Sequence, residues 1–198
     1  IYRLSCHPLD RRKILSPKNL MVKKMIVVIV VILIAVLFGL YAWYGGFYDI
    51  KVRTETVGGE TMVYKKVTGD YKQTSSVTNE VYNYLLHDLG IETCKGAGIF
   101  YDNPKLVKKE ELRSEVGCII ELSDIDKLDT MLCKYEIKQL PYRESAVTEF
   151  PYKGAISVLI GIIRVYPKLE EYVKTHHLPE HPVVEIYDVP SKKITYRK

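Results

Sequence analysis

Residues 25–48 carry no charged side chain, and this run limits what the chain can fold into more than any other feature does. A helix needs about 20 apolar residues to cross the hydrocarbon core of a membrane. The stretch 25–44 meets that length and reads MIVVIVVILIAVLFGLYAWY. Tyr41, Trp43 and Tyr44 lie at its end, where aromatic rings favour the headgroup layer. We therefore predict a transmembrane helix over residues 25–44, with the lipid bilayer as its partner.

Two other structures compete for this apolar run. A removable signal peptide has a shorter apolar core of about 7–15 residues, followed by small residues at its cleavage site. The run here is longer and ends in aromatic residues, which favours a retained anchor. A helix buried in a protein core is also disfavoured, because no polar face interrupts the run.

The charge of the chain is divided unevenly. The tail 1–24 holds seven basic residues and one acid, Asp10, so it nets +6, and the remainder nets 5 − 6 = −1. A nearly neutral domain lacks the positive surface that nucleic acid binding needs, so we expect no nucleic acid partner. The positive-inside rule applied to this tail places the domain outside the cytoplasm. If translation starts at Met21, only Lys23 and Lys24 of the basic tail remain and this bias vanishes.

The cysteine pattern favours the opposite orientation, with the domain in a reducing compartment. Cys94, Cys118 and Cys133 lie after the apolar run and Cys6 before it, and no CxxC spacing is present. The pattern therefore indicates neither a disulfide framework nor a zinc site, and it fits a reducing compartment. The orientation in the membrane stays open.

The first half of the region after the anchor has the pattern of a small α+β unit. Residues 49–198 are long enough for one domain with its own core. Turn signals and apolar periodicity predict strands, a helix capped by Ser75 or Ser76 with Glu80, and further strands. The predicted elements are a hairpin of strands 49–57 and 60–67 around Gly58-Gly59, a helix ending at Gly90, and strands 98–101 and 113–122.

The second half repeats this order. The predicted elements are paired strands 132–140 and 143–150 around Pro141, a helix over 154–175 that Pro167 kinks or splits, and strands 183–187 and 193–197. Short matches support the repeat: YKxxxSV occurs at 71–77 and at 152–158, and IFYD at 99–102 matches EIYD at 185–188. We therefore predict a duplicated ββαββ fold of class α+β, with repeat one at 49–122 and repeat two at 123–198. Both helices pack on an antiparallel sheet, and a cleft between the repeats is a common place for a ligand.

Two long stretches resemble a known family. GIFYDNPKLVKKEELRSEVG at 98–117 is similar to the first half of GyrI-like (gyrase-inhibitor-like) domains, which carry YDDP followed by LRxxVG. FPYKGAISVLIGIIRVYPKLEEYVKTHHLPEHPVVEIYD at 150–188 is similar to their second helix and following strand. The resemblance covers about residues 47–190. It is stronger to membrane-anchored members, which include receptors for autophagy of the endoplasmic reticulum (reticulophagy).

The resemblance implies a function as well as a fold. Family members bind small, often cationic or aromatic molecules, and a few resemble hydrolases that use a glutamate and aromatic residues in the cleft. In the membrane-anchored receptors the domain faces the cytosol, and a long tail binds the autophagy machinery. The sequence ends at Lys198 and contains no such tail. From this sequence we therefore expect binding by the membrane-anchored domain and not the receptor activity that depends on the tail.

Four residues are the candidate ligand-binding set. Glu185 and Tyr187 match the ExY of the family's cleft, and strand alternation places both on one face. A buried carboxylate needs a compensating partner, which suits recognition of a ligand charge. Tyr101 is the counterpart in the first repeat, and Tyr152 is one of several tyrosines that could line an aromatic pocket, with Tyr64, Tyr71, Tyr142 and Tyr166. The plainer alternative is that Glu185 is an exposed strand residue.

Function is predicted as binding of a small molecule or a protein partner in the inter-repeat cleft. The alternatives are a hydrolase in which Glu185 activates water, and a purely structural tether. No catalytic constellation stands out, and no cofactor is expected. His176, His177 and His181 cluster near Glu180, but a Pro-containing loop of this kind is typical of solvated histidines, so no metal site is predicted.

Overall fold

The computed structural model describes residues 17–121, 124 and 134–198, with side chains from residue 21 onward. The chain divides into two compact units, and the second is Tyr44–Lys198. The first contains helix α1, Pro17–Trp43, whose 23 residues Met21–Trp43 are long and apolar enough to cross a membrane and are not buried in the protein. The helix begins before the predicted residue 25 because the lysines of this segment are good helix formers.

The second unit is an α+β domain, as predicted. Eight strands form one antiparallel sheet that carries two long helices, with single 3₁₀ turns at Tyr71–Gln73 and Lys109–Glu111. The elements are β1 Arg53–Val57, β2 Thr61–Thr68, α2 Thr74–Leu89, β3 Lys95–Phe100, β4 Arg113–Ile120, β5 Glu136–Gln139, β6 Arg143–Pro151, α3 Ala155–Thr175, β7 Val183–Asp188 and β8 Lys193–Arg197. The proposed repeat boundary at 122/123 and the start of the predicted strand 132–140 lie outside the described residues.

The two halves exchange their first strands. The sheet order is β1-β6-β8-β7-β3-β4-β2-β5, so β1 pairs with β6 and β5 pairs with β2. The two hairpins predicted around Gly58-Gly59 and Pro141 are therefore wrong. The connections bond to each other instead: the Gly59 amide donates to the Leu140 carbonyl at 2.7 Å, and the Leu140 amide donates to the Glu60 carbonyl at 2.8 Å. A Gly-Gly or Pro signal marks a reversal of the chain without selecting the partner strand.

Alternation along the strands divides the core between the two faces of the sheet. Both helices lie on one face, where α2 contacts β2 and β4 and α3 contacts β6 and β8. The cluster under α2 contains Val63, Val81, Leu85, Ile91, Cys118, Ile120 and Tyr135. The cluster under α3 contains Ile50, Ala146, Phe150, Ile160, Val165, Leu169, Val173, Ile194 and Tyr196. The opposite face carries Met62, Tyr64, Ala97, Ile99, Ile119, Leu140, Val184 and Ile186.

The helix ends partly follow the predictions. Gly90 ends α2 in the left-handed conformation, with φ 65°. The predicted capping box is wrong, because α2 begins at Thr74 and Glu80 instead accepts hydrogen bonds from Lys65 Nζ at 3.2 Å and Tyr135 Oη at 3.0 Å. Helix α3 is continuous through Pro167, so this proline does not split it.

Candidate functional site

A groove of about 1100 Å³ runs between α2 and α3 above the central strands of the sheet. One wall comes from α2, where Thr74, Thr78 and Tyr82 line the space. The other wall comes from α3 and is mostly apolar. Strands β3 and β7 lie at its floor, so each half of the domain supplies one wall and one floor strand. The groove lies between the helices of the two proposed repeats, where the sequence predicted a cleft.

Two glycines of β3 line the floor of the groove beside β7. Gly98 lies opposite Glu185 and Gly96 lies opposite Tyr187 in the antiparallel register. A Cβ atom at Gly98 would lie 2.8 Å from the Phe100 ring, so even a methyl group requires that ring to move. The Phe100 ring therefore occupies the place of a side chain at Gly98, and Thr78 and Tyr187 lie within 4 Å of that place at Gly96.

Glu185 is the buried charge of the groove. It lines the groove but is only 1% exposed. The Tyr166 hydroxyl donates to Oε1 at 2.6 Å, and the Tyr187 hydroxyl donates to Oε2. Burial raises the pKa of Glu185, and the two hydrogen bonds act in the opposite direction. Among the described residues, no lysine, arginine or histidine pairs with this carboxylate.

Two tyrosines hydrogen-bond to this carboxylate, and two more pack against their rings. Burial, followed by the charge of Glu185, raises the pKa values of Tyr166 and Tyr187, so both hydroxyls stay protonated donors. The rings of Tyr152 and Tyr187 meet edge to face at 5.8 Å, and those of Tyr166 and Tyr196 do so at 6.2 Å. Aromatic faces next to a carboxylate form a site that suits a cation.

The structure brings three of the four candidate residues together. Glu185, Tyr187 and Tyr152 all line the groove. Tyr101 does not, because alternation turns it with Ile99 to the opposite face of the sheet. There its hydroxyl donates to Glu115 Oε2 at 2.9 Å, and the residue lines a second cavity. The match of IFYD to EIYD therefore pairs residues that face opposite sides.

Sequence reasoning found part of the aromatic lining. Of the other tyrosines considered, Tyr71 and Tyr166 line the groove, whereas Tyr64 lies in the core of the opposite face and Tyr142 is 73% exposed. Tyr82 and the β3 glycines were missed. A glycine-rich strand, KGAG, was the available signal for a cavity floor.

The described residues offer no obvious nucleophile or metal centre. Cys118 lines the groove, but burial raises the pKa of its thiol to about 12, so it stays protonated. Within 17–121, 124 and 134–198, no three His, Cys, Asp or Glu side chains come together in a way that could hold a metal ion.

Comparison with curated proteins finds distant relatives, and no protein-family model matches the chain. The chain is 29% identical over 133 residues to the mouse Testis-expressed protein 264 homolog, covering 64% of this chain and 41% of that protein. It is 27% identical over 156 residues to human Testis-expressed protein 264, covering 74% of this chain and 48% of that protein. The chain thus spans less than half the length of each.

Solved structures support the fold. The C-terminal domain of EcmrR aligns with a TM-score of 0.50 and 9% identity, covering 75% of this chain and 95% of that one. The EcmrR–DNA complex gives a TM-score of 0.54 and 10% identity, covering 90% of this chain and 68% of that one. These similarities fit a GyrI-like fold, and at this identity they concern the fold alone.

Proposed function

We propose that this chain is a membrane-anchored binding protein whose groove takes an apolar organic cation. In this proposal residues 25–44 hold the protein in the bilayer, and the GyrI-like domain 49–198, with repeats 49–122 and 123–198, presents the groove. The observation that carries the proposal is the buried carboxylate of Glu185, which has hydrogen-bond donors but no described cationic partner.

The wall formed by α3 supports an apolar ligand. Leu159, Ile162 and Ile163 line the groove and remain 58%, 38% and 65% exposed. Covering apolar surface contributes about 25 cal/mol per Å². A ligand with aromatic or aliphatic groups would therefore gain free energy along this wall while its charge reaches the floor.

The charge of the ligand is set by Glu185. A carboxylate in a low-dielectric site is costly unless an opposite charge compensates it. A cation placed against Glu185 supplies that compensation, and Tyr187 and Tyr152 offer ring faces that add about 0.5–2 kcal/mol. The Tyr166 and Tyr187 hydroxyls donate to the carboxylate but carry no positive charge, so they do not neutralise it.

We also propose a cellular location and an adaptor role for the domain. From the resemblance to membrane-anchored GyrI-like receptors, we propose that the domain faces the cytosol at the endoplasmic reticulum and engages a small molecule or a protein partner, as in reticulophagy. Protease digestion of sealed microsomes containing the chain tests this. Cleavage of the domain without detergent supports a cytosolic domain, and protection contradicts it and favours the orientation that the tail charge predicts.

The hydrolase alternative is not favoured. Glu185 hydrogen-bonds to two tyrosine hydroxyls and, in the described part of the chain, to no histidine or second acid that could share a proton. The residues that the structure describes therefore offer no second carboxyl or imidazole group beside Glu185 that would return a proton as general acid.

A titration with tetraphenylphosphonium tests the proposed site. This lipophilic cation carries its charge inside four phenyl rings, which suits an apolar groove with one buried carboxylate. The full chain in lipid nanodiscs is titrated by calorimetry, with empty nanodiscs as the blank. Glu185→Gln should weaken binding about 30-fold, which corresponds to about 2 kcal/mol for loss of a buried charge partner.

Glu170→Gln is the matched control. Glu170 also lines the groove, but it is only partly buried, so this variant removes the same charge from the rim without touching the floor. It should change the affinity by less than about threefold, since rim charges contribute little to affinity. Equal affinity of wild type and Glu185→Gln would contradict the proposal, as would equal losses in both variants.

A further inference from the structure

A second cavity lies on the sheet face opposite the groove, at the point where the two strand-exchange connections cross. It has a volume of about 170 Å³, roughly five or six liquid water volumes. Gly58 of one connection and Pro141 of the other both line it. Its walls are mixed: Val57, Leu140 and Val184 are among the apolar lining residues, and polar side chains complete the lining.

Three cationic side chains border this cavity, and two of them are neutralised. Arg197 forms a two-pronged ion pair with Glu60, at 3.1 Å and 2.5 Å. Lys138 forms an ion pair with Glu115. Arg143 is half-buried and, among the described residues, has neither an ion pair nor a hydrogen bond. The cavity therefore carries one uncompensated positive charge.

The electrostatics around Arg143 agree with this geometry. Burial lowers the pKa of Arg143, Tyr101 acts in the opposite direction, and the nearby positive charge of Arg197 lowers it again. The guanidinium nevertheless stays charged at neutral pH, because an arginine is in effect always protonated. A charge held at this cost without a protein partner is a feature of anion-binding sites.

Two further donors in the cavity lack partners. Ser145 is 1% exposed, and its hydroxyl makes no hydrogen bond. The Nε–H group of Arg197 is also buried without an acceptor. Ser145 lies two residues after Arg143 on β6, so the two side chains share one face of the strand. Buried donors of this kind are normally satisfied, and each needs an explanation.

We propose that the second cavity binds a singly charged carboxylate that carries a short apolar group. Arg143 supplies the charge, and Ser145 and the Arg197 Nε–H group donate hydrogen bonds to the carboxylate oxygens. One net positive charge matches one negative charge, and the apolar lining residues match a short aliphatic chain. The carboxylate belongs either to a free small acid or to the end of a peptide. This site is independent of the groove and of Glu185.

The test uses the full chain in nanodiscs and two pairs of probes. Isobutyrate is compared with isobutyramide, which has nearly the same shape without the charge. A tetrapeptide ending in valine is compared with its C-terminal amide. At least one acid should bind with an affinity at least tenfold above that of its amide, measured by calorimetry. If isobutyrate alone binds, the ligand is a free acid; if the peptide acid binds more tightly, it is a chain terminus.

Two variants and two controls assign the binding to this cavity. Arg143→Gln should reduce acid affinity at least tenfold, and Ser145→Ala should reduce it severalfold. Arg53→Gln, which removes an exposed arginine paired with Glu55, should leave it unchanged. Glu185→Gln should also leave it unchanged, which separates this site from the groove. The proposal is overturned if neither acid binds, if acid and amide bind equally, or if Arg143→Gln binds acid as wild type does.

Discussion

Replacing Glu185 by glutamine should change how the stability of the domain depends on pH. Burial raises the pKa of Glu185 in the folded state above its ordinary value of 4.5. The folded protein therefore holds this proton more tightly than the unfolded chain does. Its contribution to stability is fully present below the unfolded pKa and is lost as the pH rises through the folded pKa. The wild type should lose stability relative to Glu185→Gln as the pH rises.

The size of the effect follows from proton linkage. Between the unfolded and the folded pKa, each pH unit removes up to about 1.4 kcal/mol from the free energy of unfolding of the wild type. Glutamine retains one carbonyl acceptor, so one of the hydrogen bonds from Tyr166 and Tyr187 survives. Loss of the other costs about 1 kcal/mol and does not vary with pH. The test is therefore how the difference in free energy of unfolding between the two proteins changes with pH. The size of that difference at any one pH does not test the argument.

Urea unfolding of both proteins in the same detergent, followed by near-ultraviolet circular dichroism of the tyrosines, measures this difference at pH 4.5, 6 and 7.5. Glu60, Glu80, Asp102 and Glu136 have lowered pKa values and produce the opposite trend in each protein. They are common to both proteins and cancel in the difference. A difference that stays constant with pH, or one in which the variant loses stability as the pH rises, would refute the argument.

Three further predictions test the groove and the strand exchange. The affinity of the wild type for tetraphenylphosphonium should rise with pH until Glu185 is ionised, by up to tenfold per pH unit, whereas Glu185→Gln should give a flat calorimetric profile. Tyr187→Phe should lower the free energy of unfolding at pH 7 by about 1–3 kcal/mol in urea, because one carboxylate oxygen loses its donor. Gly58→Ala should lower the free energy of unfolding by about 3 kcal/mol in the same assay. Gly58 has φ 147°, and a Cβ atom would lie 2.3 Å from the Pro141 carbonyl oxygen. Unchanged stability would contradict the crossing of the two connections.

Local patterns predicted the elements of this fold but not how the outer strands pair. The helix predicted over 154–175 is observed at Ala155–Thr175, and the strand predicted over 183–187 at Val183–Asp188. Apolar periodicity and turn residues act over a few positions, and such information is in the sequence. The partner of β1 is β6, roughly 90 residues away in the chain, and packing of the whole sheet decides that choice.

The same distinction holds for the site. Alternation placed Glu185 and Tyr187 on one face, and the structure puts both in the groove. Strand alternation also determines which face Tyr101 occupies. The match of IFYD with EIYD, however, aligns Tyr101 with Tyr187 and so predicts the wrong face. A shift of one residue moves a side chain to the other face of a sheet. Arg143 had no sequence signal, because a missing ion-pair partner is visible only in three dimensions.

Strands β3 and β7 contribute different properties to one groove, and this asymmetry can be tested. Strand β7 supplies charge through Glu185, and β3 shapes the floor through Gly98, which lies directly opposite and is covered by the Phe100 ring. Glu185→Gln should therefore bind triphenylphosphine oxide, a neutral aromatic molecule, about as well as wild type while losing tetraphenylphosphonium. Gly98→Leu must displace the Phe100 ring from the floor, which changes the shape of the groove, and it should lose both ligands.

Calorimetry with the two ligands and three proteins separates these contributions, and circular dichroism checks that Gly98→Leu keeps its strands. Loss of the neutral ligand in Glu185→Gln would show that this residue shapes the groove and does not recognise charge. Full binding of both ligands by Gly98→Leu would place the ligand away from the β3–β7 floor. The first result would contradict charge recognition through β7, and the second would contradict the role of β3 in shaping the groove floor.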